Sequence, residues 1–277
     1  MRFSIVTISY NQGRFLDEAV RSIVGQRQGD IDLEYIVVDP GSTDDSQDIL
    51  ARYEDEIDHL ILERDQGPAD GLNKGFQRST GDVLGFINAD DRLEPGALAA
   101  VRRFFLNHPN SRAVTGALRV IDDQGRPGHL SRLRLGSVLY PPRFSPRRCL
   151  DGSTTVRQQA TFFRRSAWEA TAGFNPQNNV SWDFELFVDM LLAGVRFDRM
   201  PTILGSFRLY GESITASILN SDRAAQKLAE DEGRVRRKLL ERGFHASPPW
   251  LATCYRFAWR VRPVHRMRGW VLEWKAR

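Results

Sequence analysis

The chain has 277 residues, of which 41% are hydrophobic and 27% charged, with a formal net charge of +4. That length suits about two domains or one large one, and the composition excludes a disordered, collagen-like or low-complexity protein. Two cysteines, Cys149 and Cys254, exclude a disulfide scaffold and a thiolate metal site, and no uncharged apolar run reaches the roughly 18 residues of a membrane-spanning helix.

Phe3–Ser9 is short, apolar and β-branched, as for a strand buried on both faces. No small-residue cleavage site follows it, so it reads as a first strand and not a signal peptide, and the chain is expected to be cytoplasmic. Phe15, Leu16, Ala19, Val20, Ile23 and Val24 recur at helical spacing. Tyr35–Asp39 is a second strand, and Ser42–Tyr53 a helix opened by Ser-Thr-Asp-Asp. Leu60–Leu62 follows as a strand, Pro68–Arg78 as a helix, Val83–Ile87 as a strand and Pro95–Asn107 as a helix with proline in its first turn. This alternation predicts an α/β fold, a mainly parallel sheet flanked by helices.

After Val120 the rhythm breaks. Residues 122–153 are rich in Gly, Pro and Arg without a period, and a stretch this long inside a compact domain is more often functional or mobile than inert. Ala160–Arg164 and Thr202–Leu209 read as strands, Ser166–Ala172 and Trp182–Ala193 as helices. Residues 219–242 read as one amphipathic helix with Leu228, Val235 and Leu239 on its buried side. Residues 247–277 carry a net charge of +6 and four of the six tryptophans, leaving the other 246 residues at −2. A body without basic clusters argues against a nucleic-acid partner. The basic, Trp-rich tail suits either an anionic membrane surface or packing on protein.

In an open parallel sheet, ligands bind beyond the carboxyl ends of the strands. Three polar clusters lie there: Ser9–Gly13, Asp39–Asp45 and Asn88–Asp91. Adjacent Asp90 and Asp91 suit a divalent cation, Mg²⁺ or Mn²⁺, that shares its shell with phosphate oxygens; a plain turn before Pro95 accounts for them equally well when they are taken alone. Asp39 is either a ligand acceptor or a turn residue. Asp65–Gly75 forms a further polar cluster, with Asp65, Asn73 and Lys74 as candidate donor contacts and glycines that fit a close backbone approach to a ligand. Asp183 and Glu185 stand roughly 200° apart on a helix, so they face different sites; Asp183 is either a helix-start acid or a base aimed into a cleft. No phosphate loop or Gly-x-Gly-x-x-Gly occurs.

Taken together, Ser4–Asn11, Val37–Asp44, Asn73-Lys74-Gly75, Gly81–Asp91, Gln159–Arg165 through Gly173-Phe174, and Trp182–Leu186 resemble the family 2 glycosyltransferases of GT-A fold over roughly residues 1–210. The resemblance implies a nucleotide-diphosphate sugar donor, a glycan or lipid-linked hydroxyl acceptor and inversion at the anomeric carbon. It places Thr7, Ser9 and Asp39 at the nucleoside, Asn88 to Asp91 at the ribose and metal, and Asp183 as the base. The chain then divides into a catalytic domain, 1–215, and a helical, basic and aromatic extension, 216–277, which either docks on the inner face of a membrane or packs on protein. Two departures stand out: Asn88 replaces the first Asp of the usual triplet, and Pro40 replaces an Asp that often reads uracil, leaving the base open. The competing readings are a sugar-1-phosphate nucleotidyltransferase, disfavoured by the single glycine in Ser9–Arg14, and a non-catalytic nucleotide-sugar-binding domain.

Overall fold

The computed structural model describes residues 1–128, 137–154, 156–178 and 180–248. The membrane-contact segment expected at 247–277 lies outside the described residues from position 249 onward.

Strands β1 (Arg2–Ile8), β2 (Asp32–Val38), β3 (His59–Ile61) and β4 (Val83–Asn88) pair in parallel in the order β3-β2-β1-β4. Their β-branched runs are buried on both faces, as parallel strands covered by helices must be. The sheet continues through β8 (Thr161–Arg164), β6 (Ala113–Ile121), β9 (Phe197–Arg208) and the two-residue β5 (Arg92–Leu93), while β7 (Val138–Leu139) pairs with β6 on the side. β6 and β9 run parallel; β8 is antiparallel to both β4 and β6, and joins two parallel blocks.

Helices α1 (Gly13–Val24), α2 (Ser46–Arg52) and α4 (Ala97–Asn107) cover one face, where Leu16, Val20, Ile49, Leu98 and Val101 pack on Phe3, Ile5, Val37 and Phe162. Helices α3 (Pro68–Arg78), α5 (Pro146–Leu150), α6 (Arg165–Trp168) and α7 (Trp182–Leu192) cover the other, burying Phe76, Leu150, Ala167, Leu186 and Phe187 against Val6, Val38 and Phe86. Each helix turns its apolar stripe to the sheet, as a 3.6-residue period requires.

The differences from the sequence-based expectations have local causes. β6 was not expected; Gly116 and Arg119 interrupt its otherwise buried apolar run. The second helix begins at Ser46 and not Ser42, because Ser42 and Asp44 bond to the Asp39 loop and to the first helix. The fourth begins after Gly96, whose φ of 74° interrupts the Pro95 turn. The irregular 122–153 segment contains β7 and α5, and the helix expected at 166–172 ends at Trp168. The single helix expected at 219–242 is α9 (Asp222–Glu241), preceded by a separate α8 (Ile214–Asn220) that ends at Ser221, whose hydroxyl accepts from the Ala224 amide. Val235 and Leu239 of α9 are buried in the same core as α7, and Leu228 is half-buried.

Candidate active site

The chain reverses direction in the sheet at β1, with β2 on one side and β4 on the other, so the crevice expected to take a ligand opens between the ends of β1 and β4. Ile8 and Asn88 pair across that gap. Two buried side-chain atoms without hydrogen-bond partners, Ser9 Oγ and Asn88 Oδ1, stand at these strand ends. Interiors rarely leave such atoms unpaired, so a polar ligand suits the position.

The two adjacent acids have different tasks. Asp91 is fully buried, with Oδ2 accepting from Gln159 Nε2 at 2.7 Å and Gln158 Nε2 at 3.3 Å, and Oδ1 from the Arg208 amide at 2.9 Å. Its lone pairs therefore meet protein N–H groups, and the metal role expected of it does not suit this geometry. Asp90 is half-buried and accepts a single side-chain bond, from Tyr210 at 3.1 Å. Burial pushes Asp90 up and, together with repulsion from Asp90, pushes Asp91 well above the usual carboxylate range. Among the described residues no three Asp, Glu, His or Cys side chains gather as a cation cage. The oxygen donors that remain are the Asp90 carboxylate and Asn88 Oδ1, which fits an ion such as Mg²⁺ or Mn²⁺ whose shell a diphosphate completes.

Arg208, at the end of β9, braces this loop. Its Nε donates to the Asp90 carbonyl at 2.8 Å, Nη1 to the Asp122 carbonyl at 3.0 Å, and Nη2 to Glu18, while its guanidinium lies 4.6 Å from the Phe15 ring centroid. The sequence reading missed Arg208, Glu18, Tyr210 and Gln158. The available signal was a lone arginine inside an otherwise apolar strand, since a charge is buried only when paired.

Asp183 begins α7, and Phe187 of that helix packs 6.4 Å from Phe86 of β4. Strand alternation puts Asn88 on the same face as Phe86, so the helix and the acidic loop share one side of the sheet. Burial lifts the Asp183 carboxyl to about 6 against bonds from the Phe184 amide and its own amide and the field of Arg157. Arg157 directly precedes Gln158 and Gln159, so the segment that holds Asp91 also reaches Asp183. Glu185 points elsewhere, as its spacing required: it binds Arg234 at 2.9 Å, Lys238 at 2.8 Å and Asn178 at 2.7 Å.

The remaining candidates divide. Asp65 lies at the crevice edge in the fields of Asp70 and Asp39, and burial raises its carboxyl. Thr7 is fully buried and accepts from the Tyr35 hydroxyl at 3.1 Å, inside the first core. Both oxygens of Asp39 accept from its own loop, from Ser42 N at 2.7 Å and Ser42 Oγ at 2.6 Å, the turn-residue alternative. Asn73 bonds the Phe174 carbonyl and amide at 2.8 and 2.9 Å, and clasps α3 to the 173–178 loop. Lys74 donates to the Arg64 carbonyl and lies 3.7 Å from Asp70. The glycines of this cluster serve packing within the protein: a Cβ on Gly75 would stand 2.5 Å from Val6, and one on Gly71 2.7 Å from Asp65.

A family model described as glycosyl transferase family 2 matches residues 4–171. An uncharacterized glycosyltransferase of Nostoc sp. is 32% identical over 125 residues, 44% of this chain and 37% of that protein, so the chain spans little more than a third of that relative's length. A PGL/p-HBAD biosynthesis glycosyltransferase of Mycobacterium bovis is 31% identical over 190 residues, 66% of this chain and 68% of that protein. Among solved structures, S. aureus TarS 1–349 in complex with UDP-GlcNAc matches with a TM-score of 0.60 at 18% identity, covering 83% of this chain and 71% of that one. The mannosyltransferase PcManGT from Pyrobaculum calidifontis, in complex with GDP-Man and Mn²⁺, matches with 0.63 at 18%, covering 98% and 72%. These two likenesses are of fold, and the fold is GT-A. With its sheet, its acidic strand ends and a family match over more than half its length, the chain belongs to glycosyl transferase family 2.

Proposed function

We propose that the protein is an inverting glycosyltransferase that moves a sugar from a nucleotide-diphosphate donor to a hydroxyl of a glycan or lipid-linked acceptor in cell-surface polysaccharide assembly. The observation that carries the reading is that one segment, Arg157–Gln159, holds Asp91 of the acidic loop and lies in the field of a half-buried Asp183. The fold relatives TarS, in complex with UDP-GlcNAc, and PcManGT, in complex with GDP-Man, support a nucleotide-sugar donor.

An acceptor hydroxyl is a weak nucleophile, and Asp183 takes its proton as the new bond forms, a contribution of roughly 10²–10⁴ in rate. A carboxyl shifted to about 6 is ionised at neutral pH yet basic enough to accept that proton. Asp90 and Asn88 would hold a divalent cation, which when bound offsets the charge that develops on the leaving diphosphate. Arg208 and Gln159 keep the loop that carries Asp90 in place. Ser9, Asp39 and Asp65 border the end where the nucleoside would lie. Among the described residues no helix is long and apolar enough to cross a membrane; contact with a cytoplasmic leaflet through 247–277 belongs to this proposal as well.

Release of free nucleoside diphosphate from a donor panel tests the activity. Asp183→Asn is expected to fold and bind donor like the parent while turnover falls by about 10²–10⁴, and the parent rate should rise with pH through about 6. An Asp183→Asn variant with undiminished turnover would remove the assigned base.

A further inference from the structure

Arg157 differs from the other basic side chains sheltered in the fold. Arg208 is committed to Glu18 and to main-chain carbonyls, Arg164 to the Ser111 and Phe105 carbonyls, and Arg234 and Lys238 to Glu185. Arg157 is half-buried, and its guanidinium makes no hydrogen bond, ion pair or ring contact with any described residue. Its backbone is nonetheless fixed: its carbonyl accepts from Thr161 Oγ1 at 2.7 Å and from the Ala160 amide at 3.1 Å. Burial draws the group down to about 10, and the field of Asp183 opposes that, so it stays charged at neutral pH. The two groups form no ion pair, so the guanidinium has no anionic partner among the described residues.

An unpaired cation in a partly desolvated position is costly unless an anion meets it. Displacement at an anomeric carbon needs the incoming oxygen and the leaving oxygen on opposite sides of that carbon. Arg157 stands on the segment whose next two side chains hold Asp91, which places it on the acidic-loop side of the crevice, where the leaving diphosphate would lie. We propose that Arg157 receives the diphosphate of the donor and stabilises it as the leaving group. The bond from the acceptor oxygen to the anomeric carbon forms as the bond from that carbon to the phosphate oxygen breaks. The acceptor proton passes to Asp183, and the electron pair stays on the diphosphate, to which the planar guanidinium donates. This assignment rests on the reading of Asp183 as the base.

Calorimetry with UDP and GDP, against UMP and GMP, tests it on the full chain, with Arg157→Gln and Arg157→Lys beside the parent. Arg157→Gln should weaken diphosphate binding by about ten- to a hundredfold, leave monophosphate binding and the acceptor KM unchanged, and move the acid limb of kcat to higher pH, because a positive neighbour of Asp183 is gone. Arg157→Lys should recover most of the diphosphate affinity. Equal diphosphate affinity in Arg157→Gln and the parent overturns the assignment while the nucleotide-sugar reading stands. A change confined to the acceptor KM overturns it too, and gives the guanidinium to an anionic acceptor. A parent that binds neither diphosphate sinks both readings.

Discussion

Two aspartates adjacent in sequence divide their labour through what surrounds them. Asp91 meets N–H groups from Gln158, Gln159 and Arg208 in the interior, whereas Asp90 takes one side-chain bond, from the Tyr210 hydroxyl. Asp90→Asn is therefore expected to cut the dependence of donor affinity on Mn²⁺ at least tenfold, with little change in melting temperature. Asp91→Ala should unfold at a markedly lower temperature, because three buried donors lose their acceptor, at about 1–3 kcal/mol for each one left unpaired. Donor titrations with and without chelator, paired with thermal melts, separate the two effects. At this scale the sequence disclosed the acids and could not rank them, since adjacency says nothing about which carboxylate turns inward. It also could not show that Asn73 would be claimed by the Phe174 main chain, or that a lone arginine a hundred residues beyond the loop would grip it.

At the scale of elements, α9 is wedded to the helix that carries the base. Burial alone would raise the Glu185 carboxyl, yet hydrogen bonds from Arg234, Lys238, Asn178 and Asn175 outweigh it and hold the group down at about 2. Asp189 of α7 adds a second bond to Lys238 at 2.8 Å. Breaking a buried pair from one side typically costs about 3–5 kcal/mol, so Glu185→Gln should lower the free energy of unfolding in urea by that order. The loss should be full above about pH 4.5, where an unfolded glutamate is ionised, and shrink as pH falls toward 2. The helices were legible because their apolar periods are long; α3 begins and ends where Pro68 and Arg78 suggested. The ends of α2 and α4 were not, because side-chain bonds to distant loops, and a left-handed Gly96, decide them.

Over the whole molecule, the site is maintained at the expense of stability. The Asp183 carboxyl is raised in the fold to about 6, so the folded chain holds a proton there that the unfolded chain has released. Stability from this group therefore falls as pH rises from about 4 to about 6, and the full penalty persists above that range. Asp183→Asn should melt above the parent at pH 8 by several degrees, with the difference vanishing near pH 4; differential scanning calorimetry at the two pH values checks it. The parallel half of the sheet could be read from the sequence because each strand is a compact β-branched run. The other half escaped in part, since Gly116 and Arg119 interrupt the apolar run of β6, and its pairing with β8 and β9 depends on partners some 50 to 90 residues away.

β8 bonds to β4 along one border and β6 along the other, and the turn that grips Asp91 runs straight into it. Tension applied at the acidic loop is thus transmitted to a strand stitched into both blocks. A molecule seated in the crevice would tighten the protein as a unit, so protection from exchange or proteolysis should extend well beyond the loops that touch it.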